Sequence, residues 1–343
     1  MAVRLRDVAD RAGVSVKTVS NVVHGHPHVR PETRRRVQAA IDALGYRPNL
    51  SARTLRRGRS GLIALALPAL DIPYFGELAS ETVAAAAAHG WTVLVDQTDG
   101  EAAREREVAA GLEGHLIDGL LLSAVAVSAE ELRRPPASVP MVLLGERFAG
   151  DTLDHVAVDN VAAARAATEH LLSGGRRRVA AIGYQEPARS MSGVAPLRQA
   201  GYEQALAAHG LEVDPALTPR VESFSRPEGV AAADRLLALD DPPDAVFCFT
   251  DVLALGALRS FALRGVRVPE EVAVVGFDDI EDGRFSTPTL STVSPDKAAI
   301  ASTAIELLRH RLEDPEHPAR DVTVDFELVV RESSATSGPR SPA

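Results

Sequence analysis

Beyond residue 60 the chain keeps returning to short, nearly unbroken apolar runs, and this recurrence constrains its fold more than any other feature. The runs fall at 62–67 (LIALAL), 92–96, 119–123, 141–144, 155–158, 179–182, 245–249 and 272–276. Helical periodicity fills the intervals, for example at 75–89, closed by Gly90, and at 162–172, ahead of Gly174 and Gly175. A strand that is apolar on both sides must be covered on both faces, and strands separated by helices run parallel. Eight such strands are too many for one small sheet, so two doubly wound α/β lobes are expected. With 343 residues, 45% of them hydrophobic, the chain has room for two or three units with substantial cores.

Charge divides the chain where the apolar runs begin. Residues 1–60 carry 13 Lys+Arg against 4 Asp+Glu, a net of +9, while the other 283 carry 24 against 43, a net of −19. A small basic segment on a large acidic body is the asymmetry of a nucleic-acid-binding module joined to a second function. The acidic body repels phosphate, which confines DNA contact to the first sixty residues.

Within that segment, Leu5, Val8, Ala9 and Ala12 recur at helical spacing and Gly13 ends the run. Ser15 has the chemistry of an N-cap for a second short helix from Val16 to His24, with Val19, Val22 and Val23 apolar. Two short helices joined by AGVS form a helix-turn-helix pattern, whose second helix enters the major groove. Val16 can touch a thymine methyl, and Lys17 can donate to guanine. Asn21 either pairs with adenine or holds a phosphate. Thr18 and Ser20 suit phosphate contacts, which position rather than specify. A third helix, about 31–44, opens on Pro31, carries Val37, Ala40, Ile41 and Leu44 as its apolar stripe, and stops at Gly45. Arg34, Arg35 and Arg36 on it are either solvated or at phosphates.

The segment continues through Tyr46-Arg47-Pro48-Asn49-Leu50 into SARTLRRGRS. The pieces DVADRAGVS, TVSNVV, TRRRVQAAIDALGYRPN and ARTL together resemble the DNA-binding head of the lac repressor (LacI/GalR) family. The resemblance implies that ARTL is a hinge helix formed on operator DNA. Leu55 of each of two subunits would then wedge into the minor groove, with Asn49, Ser51, Arg53 and Arg56 at the backbone. Two positions depart from the family. Arg4 stands where a Thr often caps the first helix, so the cap must come from elsewhere. Asn21 stands where well-known members carry Arg, so their operator half-site does not transfer.

The body is similar to the periplasmic-binding-protein-like core of the same family, through DIPYFGEL, VAVDN, HLLSGGRRRVAAIG, LRQAGYEQAL, RVPEEVAVVGFDDIEDGRFSTPTLSTV and FELVVRES. The resemblance implies three crossings between lobes, near Asp159, Pro288 and Asp321, with Asp159 a crossover or helix cap. It places a ligand between lobes at the carboxyl ends of strands. Strand ends here carry Tyr74-Phe75, Glu146-Arg147, Thr250-Asp251 and Asp278. Arg198 and Asp278 match positions where the family binds effector. An Arg fork and carboxylates suit sugar hydroxyls, and Phe75 or Phe224 suits the flat face of a sugar or a base. Thr250 departs from the Asn that many relatives carry.

The expected architecture is therefore an N-terminal all-α helix-turn-helix head plus an α/β periplasmic-binding-protein-like core of two doubly wound parallel-sheet lobes. The head spans 1–48, hinge helix and linker 49–60, and the core 61–332. Lobe 1 covers about 61–159 and 289–320, and lobe 2 about 160–288 and 321–332. The Ser/Pro/Gly-rich 333–343 is expected to be disordered. No run of about 18 apolar residues reads as a membrane span, and MAVRLRDVADRAG lacks a secretory h-region, which points to the cytoplasm. The single cysteine, Cys248, lies in AVFCF and reads as a buried strand residue. No P-loop, dinucleotide fingerprint or metal-spaced His/Cys cluster is present, so neither catalysis, cofactor nor metal is expected. The function that follows is a homodimeric repressor on a pseudo-palindromic operator, controlled by a small molecule, a sugar or sugar derivative. A purine-type corepressor regulator and an exported solute-binding protein are the alternatives. The direction of the effector's action stays open.

Overall fold

The computed structural model of the protein describes residues 3–23, 26, 28–46, 59–111, 117–132, 139–145, 153–185 and 193–335. It divides into two compact units, Met1–Ser60 and Gly61–Ala343.

Among its described residues the first unit has three helices, α1 (Leu5–Ala12), α2 (Val16–Val23) and α3 (Pro31–Leu44). Their apolar stripes close on one core of Val8, Ala9, Ala12, Val19, Val22, Val37, Ala40 and Tyr46. The cap that Arg4 cannot supply comes from Asp7, whose carboxylate accepts the Arg4 amide at 2.7 Å and adds negative charge to the first turn. Gly13 takes φ 62, the left-handed conformation that ends α1 with the Val14 amide donating to the Ala9 carbonyl at 3.1 Å. Ser15 Oγ then accepts the Thr18 amide at 3.1 Å and starts α2. Sharp reversal and immediate restart give the tight angle of a helix-turn-helix.

The second unit runs β1 (Leu62–Leu67), α4 (Pro73–Ala88), β2 (Thr92–Gln97), α5 (Ala102–Ala109), β3 (Gly119–Leu122), α6 (Ala129–Leu132), β4 (Met141–Leu144) and β5 (Asp154–Val158). It continues with α7 (Asn160–Ser173), β6 (Val179–Ile182), α8 (Val194–Ala208), α9 (Arg226–Leu237), β7 (Ala245–Cys248), α10 (Asp251–Leu263) and β8 (Ala273–Phe277). Then come α11 (Glu281–Arg284), β9 (Ser291–Pro295), α12 (Lys297–Glu313), β10 (Asp321–Val324) and β11 (Phe326–Val329). The strands form two sheets, β10-β5-β4-β3-β1-β2 in lobe 1 and β11-β9-β8-β7-β6 in lobe 2. Every pairing is parallel except β11 with β9.

Alternation along the strands explains the layering. In β1, Ile63, Leu65 and Leu67 pack under α4 and α12, while Ala64 and Ala66 face α5 on the other side. In lobe 2, Phe247 and Val275 pack against α7 and α8, while Val246, Cys248 and Val274 pack against α9 and α10. Both faces of each sheet are covered, as continuous apolar runs require.

Three expectations need correction. β9 pairs with β8 and β10 with β5, so the second and third crossings fall at Asp296 and Asp325, not near Pro288 and Asp321. The short, hydroxyl-rich STVSP and DVTV lack the apolar runs by which strands were recognised. Ser333 and Ser334 belong to the folded core rather than to a disordered tail. Ser333 Oγ accepts the Ser291 amide at 2.8 Å and donates to the Val274 carbonyl at 2.7 Å; residues 336–343 lie outside the described residues. Asp251, expected at the effector site, is fully buried inside lobe 2. Its Oδ1 accepts the Thr292 hydroxyl at 2.7 Å and its Oδ2 the Ile280 amide at 3.0 Å, so it fastens α10 to β9 and to the segment after β8.

Two predictions follow from this packing. At Gly201, in α8, a Cβ would stand 2.8 Å from Ala164 Cβ and against the Val161 carbonyl of α7. Gly201→Ala should therefore destabilise the core by about 1–3 kcal/mol, seen as a lower Tm in thermal unfolding; an unchanged Tm would show that the two helices separate freely. Burial, and secondarily the nearby Asp278 carboxylate, push the Asp251 pKa well above the ordinary range. The folded state then binds a proton that the unfolded state has released, so this group's contribution to stability falls as pH rises from the ordinary carboxylate pKa through the folded one. Asp251→Asn has no titrating proton; its Oδ1 can accept the Ile280 amide while its Nδ2 donates to the Thr292 hydroxyl, which turns to the Val293 carbonyl. It should gain on the wild type in Tm as pH rises across that window. A Tm difference independent of pH would refute the assignment.

Candidate functional site

On the first unit, α2 turns Val19 and Val22 into the core and leaves the opposite face to solvent. Val16 is 45% exposed, Lys17 is exposed, and Thr18, Ser20 and Asn21 are half-buried beside them. Thr18 Oγ1 is 2.9 Å from Ser15 Oγ, which steadies the first turn of the helix. The face thus offers an apolar tip, an ammonium and an amide within two turns, the groups that read base edges and phosphates. Asn49, Arg53 and Leu55 lie outside the described residues.

On the second unit, the carboxyl ends of both sheets meet around a cavity of about 320 Å3. Tyr74 and Phe75, in the first turn of α4, line it from lobe 1 with Leu78, Leu144 and Val158; Arg198, Phe224, Thr250 and Asp278 line it from lobe 2. The Tyr74 and Phe75 rings meet edge to face at 5.4 Å and 71°. Arg198 is only 6% exposed. Its Nε donates to Asn160 Oδ1 at 2.7 Å, an Nη1 proton goes to the Phe249 carbonyl, and Nη1 stands 3.7 Å from Asp278 Oδ1. The guanidinium carbon lies 3.3 Å from the Phe277 ring centroid, so stacking fixes its plane. Asp278 takes φ 118 and Asp279 φ 48, left-handed conformations rare for non-glycine residues and held where the surroundings fix them. Thr250 Oγ1 caps α10 by accepting the Leu253 amide at 3.4 Å.

Among the expected cleft residues, Tyr74, Phe75, Arg198, Phe224, Thr250 and Asp278 come together, Asp251 does not line the cavity, and Glu146 and Arg147 lie outside the described residues. Sequence reasoning missed Asp99, Ser123, Gln185, Glu222 and Ser223 on the same walls. Asp99, Ser123 and Gln185 follow β2, β3 and β6, so the strand-end rule could have found them. Beneath Ser123, the buried Glu105 carboxylate accepts the amides of Val125, Ala126 and Val127 at 2.8–3.2 Å and fixes this part of the cleft floor. Asp159 caps α7 by accepting the Ala162 amide at 2.9 Å. Among the described residues, no His, Cys, Asp and Glu side chains group as a metal site, and no helix is long and apolar enough to cross a membrane.

Comparison with known proteins addresses both units. A model of bacterial regulatory proteins of the lacI family matches residues 4–49, and a model of the periplasmic binding protein-like domain matches residues 168–334. The chain is 33% identical to the HTH-type transcriptional repressor CytR of Escherichia coli (strain K12) over 337 residues, 97% of this chain and 96% of that one. Among solved structures, it is 45% identical to a LacI-family transcriptional regulator of Sanguibacter keddieii DSM 10542, covering 82% of this chain and all of that one, with a TM-score of 0.73. The transcriptional regulator CelR in complex with cellobiose is 29% identical over 97% of this chain and 100% of its own, with a TM-score of 0.71. The lac repressor dimer bound to operator and an anti-inducer is 26% identical over 97% and 99%, with a TM-score of 0.83. With a helix-turn-helix face, a two-sheet cleft and relatives matched from end to end, the chain belongs to the lacI family of bacterial regulatory proteins.

Proposed function

We propose that the protein is a cytoplasmic, non-catalytic repressor that binds a pseudo-palindromic operator as a homodimer and releases or tightens its hold when a sugar or sugar-like metabolite enters the cleft. The observation that carries this reading is the facing of Arg198 and Asp278 against Tyr74 and Phe75 across a space of about 320 Å3. A guanidinium fork and a carboxylate serve adjacent hydroxyls, and aromatic rings serve the apolar face of a sugar ring. The cellobiose in CelR and the operator-bound dimer of the lac repressor support the two halves of the reading. The aromatic set Tyr74, Phe75 and Phe224 favours a second reading, a flat purine as corepressor.

In this scheme two heads related by a two-fold axis read two half-sites, with Val16, Lys17 and Asn21 toward base edges and Thr18 and Ser20 toward phosphates. Linking them makes the second engagement intramolecular, which raises avidity without new contacts. Asn49, Arg53 and Leu55 would complete the grip at the minor groove. Reversing a 99:1 population of lobe arrangements requires a ligand preference of about 5.5 kcal/mol between them.

The test has two arms. Thermal shift with D-ribose, cellobiose and adenosine identifies the ligand class, and selection from random duplexes identifies the operator; a protein that answers no compound and prefers no duplex would end the reading. Lys17→Ala should relax preference at one base pair of each half-site by about 1–3 kcal/mol, and an unaltered consensus would move Lys17 from bases to phosphate. Arg198→Ala should weaken the bound compound by about tenfold or more, with ligand-free operator affinity near that of the wild type. Arg198→Lys serves as a second variant should alanine unfold lobe 2, and a response equal to the wild type's in both would remove Arg198 from the site.

A further inference from the structure

Lys297, the first residue of α12, stands directly after the second crossing and touches both lobes. Its side chain is 13% exposed. In lobe 2 its Nζ donates to the main-chain carbonyl of Asp278 and, at 3.2 Å, to that of Asp279. In lobe 1 it pairs with Glu77 Oε2 of α4 at 3.1 Å and lies 5.7 Å from the Tyr74 ring centroid. Glu77 uses its other oxygen, Oε1, to accept the Glu281 amide of α11 across the lobe boundary at 2.9 Å. A continuous chain of charge-assisted contacts therefore links the backbone of a cleft residue to a fastening between lobes.

The surroundings make this ammonium hard to replace. The contact borders a second cavity, about 720 Å3, whose walls carry Glu77, Glu81, Asp279, Glu281, Asp296 and Asp325. The other cation on those walls, Arg284, is held by Asp279 at 2.9 Å. Asp279 keeps Arg284 and, through its other oxygen at 2.6 Å, Arg331, so with Lys297 neutralised it is Glu77 that loses its ion-pair partner on this acidic wall. Lys297 also contacts the carbonyls of Asp278 and Asp279, both in the left-handed conformation, alongside the Asp278 amide's bond to the Val293 carbonyl at 2.9 Å.

We propose that Lys297 is a positioning residue that couples the cleft to the lobes. A ligand that shifts Asp278 moves its carbonyl against Lys297, and through Glu77 this strengthens or releases the Glu281 fastening. The coupling rests on reading the cleft as the effector site, whereas the fastening itself is defined without a ligand.

Hydrogen–deuterium exchange on the full chain tests each part separately. Without ligand, Lys297→Met and Glu77→Gln should each speed exchange over 279–285 by about tenfold or more, the loss expected when a charge-assisted contact closes a local opening. Exchange over 245–248 should stay at the wild-type rate. The double variant should do no more than Lys297→Met alone, because the two residues act as one unit. Unaltered exchange over 279–285 in both variants, additive effects, or acceleration spread equally over 245–248 would each overturn the fastening. D-ribose, cellobiose and adenosine are then added. A compound that raises the wild-type Tm should alter exchange over 279–285 in the wild type and not in Lys297→Met; equal changes in both would refute the coupling. Failure of all three to bind counts against the cleft reading, while the ligand-free comparison still decides the fastening.

Discussion

The main chain passes between the two sheets at three neighbouring points, and this constraint decides how the core can move. Val158 pairs with Val324 at the edge of one sheet and Pro295 with Phe326 at the edge of the other, so Asp159, Asp296 and Asp325 lie side by side. The Asp296 amide donates to the Asp325 carbonyl at 3.3 Å and ties two crossings together. Asp159 and Asp296 also begin helices, capping α7 and α12 through the amides of Ala162 and Ala299 at 2.9 and 2.8 Å. Rotation about this edge opens or closes the cleft without breaking either sheet, the geometry of a hinge made from element-terminal residues.

The two walls of the cleft have different physical characters. Lobe 2 presents Arg198, whose plane is fixed by Phe277 and which directs two of its five N–H protons to Asn160 and Phe249. Such a group meets a ligand with little further ordering, which favours orientation-specific binding. Lobe 1 presents Tyr74, Phe75, Leu78, Leu144 and Val158, with Asp99 and Ser123 as its polar groups. Under the proposed reading, lobe 2 would set the orientation of a ligand through Arg198 and Asp278, and lobe 1 would add apolar cover from Tyr74 and Phe75.

Much of this was legible because the relevant signals are local. LIALAL, short and bounded by Gly61 and Pro68, reads as a doubly covered strand, and Gly13 followed by Ser15 spells a stop and a start. The missed parts depend on distant partners. STVSP becomes an interior strand only because Asp251, Ser333 and the Arg331 carbonyl satisfy its hydroxyls and amides from elsewhere in the chain. Asp251 was misplaced for a reason of helical geometry. Thr250 caps α10 and faces the cavity, but the next residue is turned by about 100°, which carries its carboxyl into the lobe. Arg198 and Asp278 were found through family resemblance, since spacing alone does not bring positions 198 and 278 together. Nothing near Lys297 in sequence announces Glu77, 220 positions away.

A polar fastening between lobes also suits a switch better than an apolar one. Apolar contact burying about 400 Å2 would favour one lobe arrangement by about 10 kcal/mol at 25 cal/mol per Å2. That exceeds the preference a small ligand needs to reverse a population, about 5.5 kcal/mol. The contacts of Lys297, Glu77 and Glu281 exchange with water when they open, and charge-assisted bonds of this kind contribute only about 1.5–3 kcal/mol net. Under the proposed coupling, two arrangements would remain close enough in free energy for a ligand to choose between them. The apolar surface is instead concentrated within each lobe, around Phe247 and Val275 in one and Leu65 and Val142 in the other, where it keeps the moving bodies rigid.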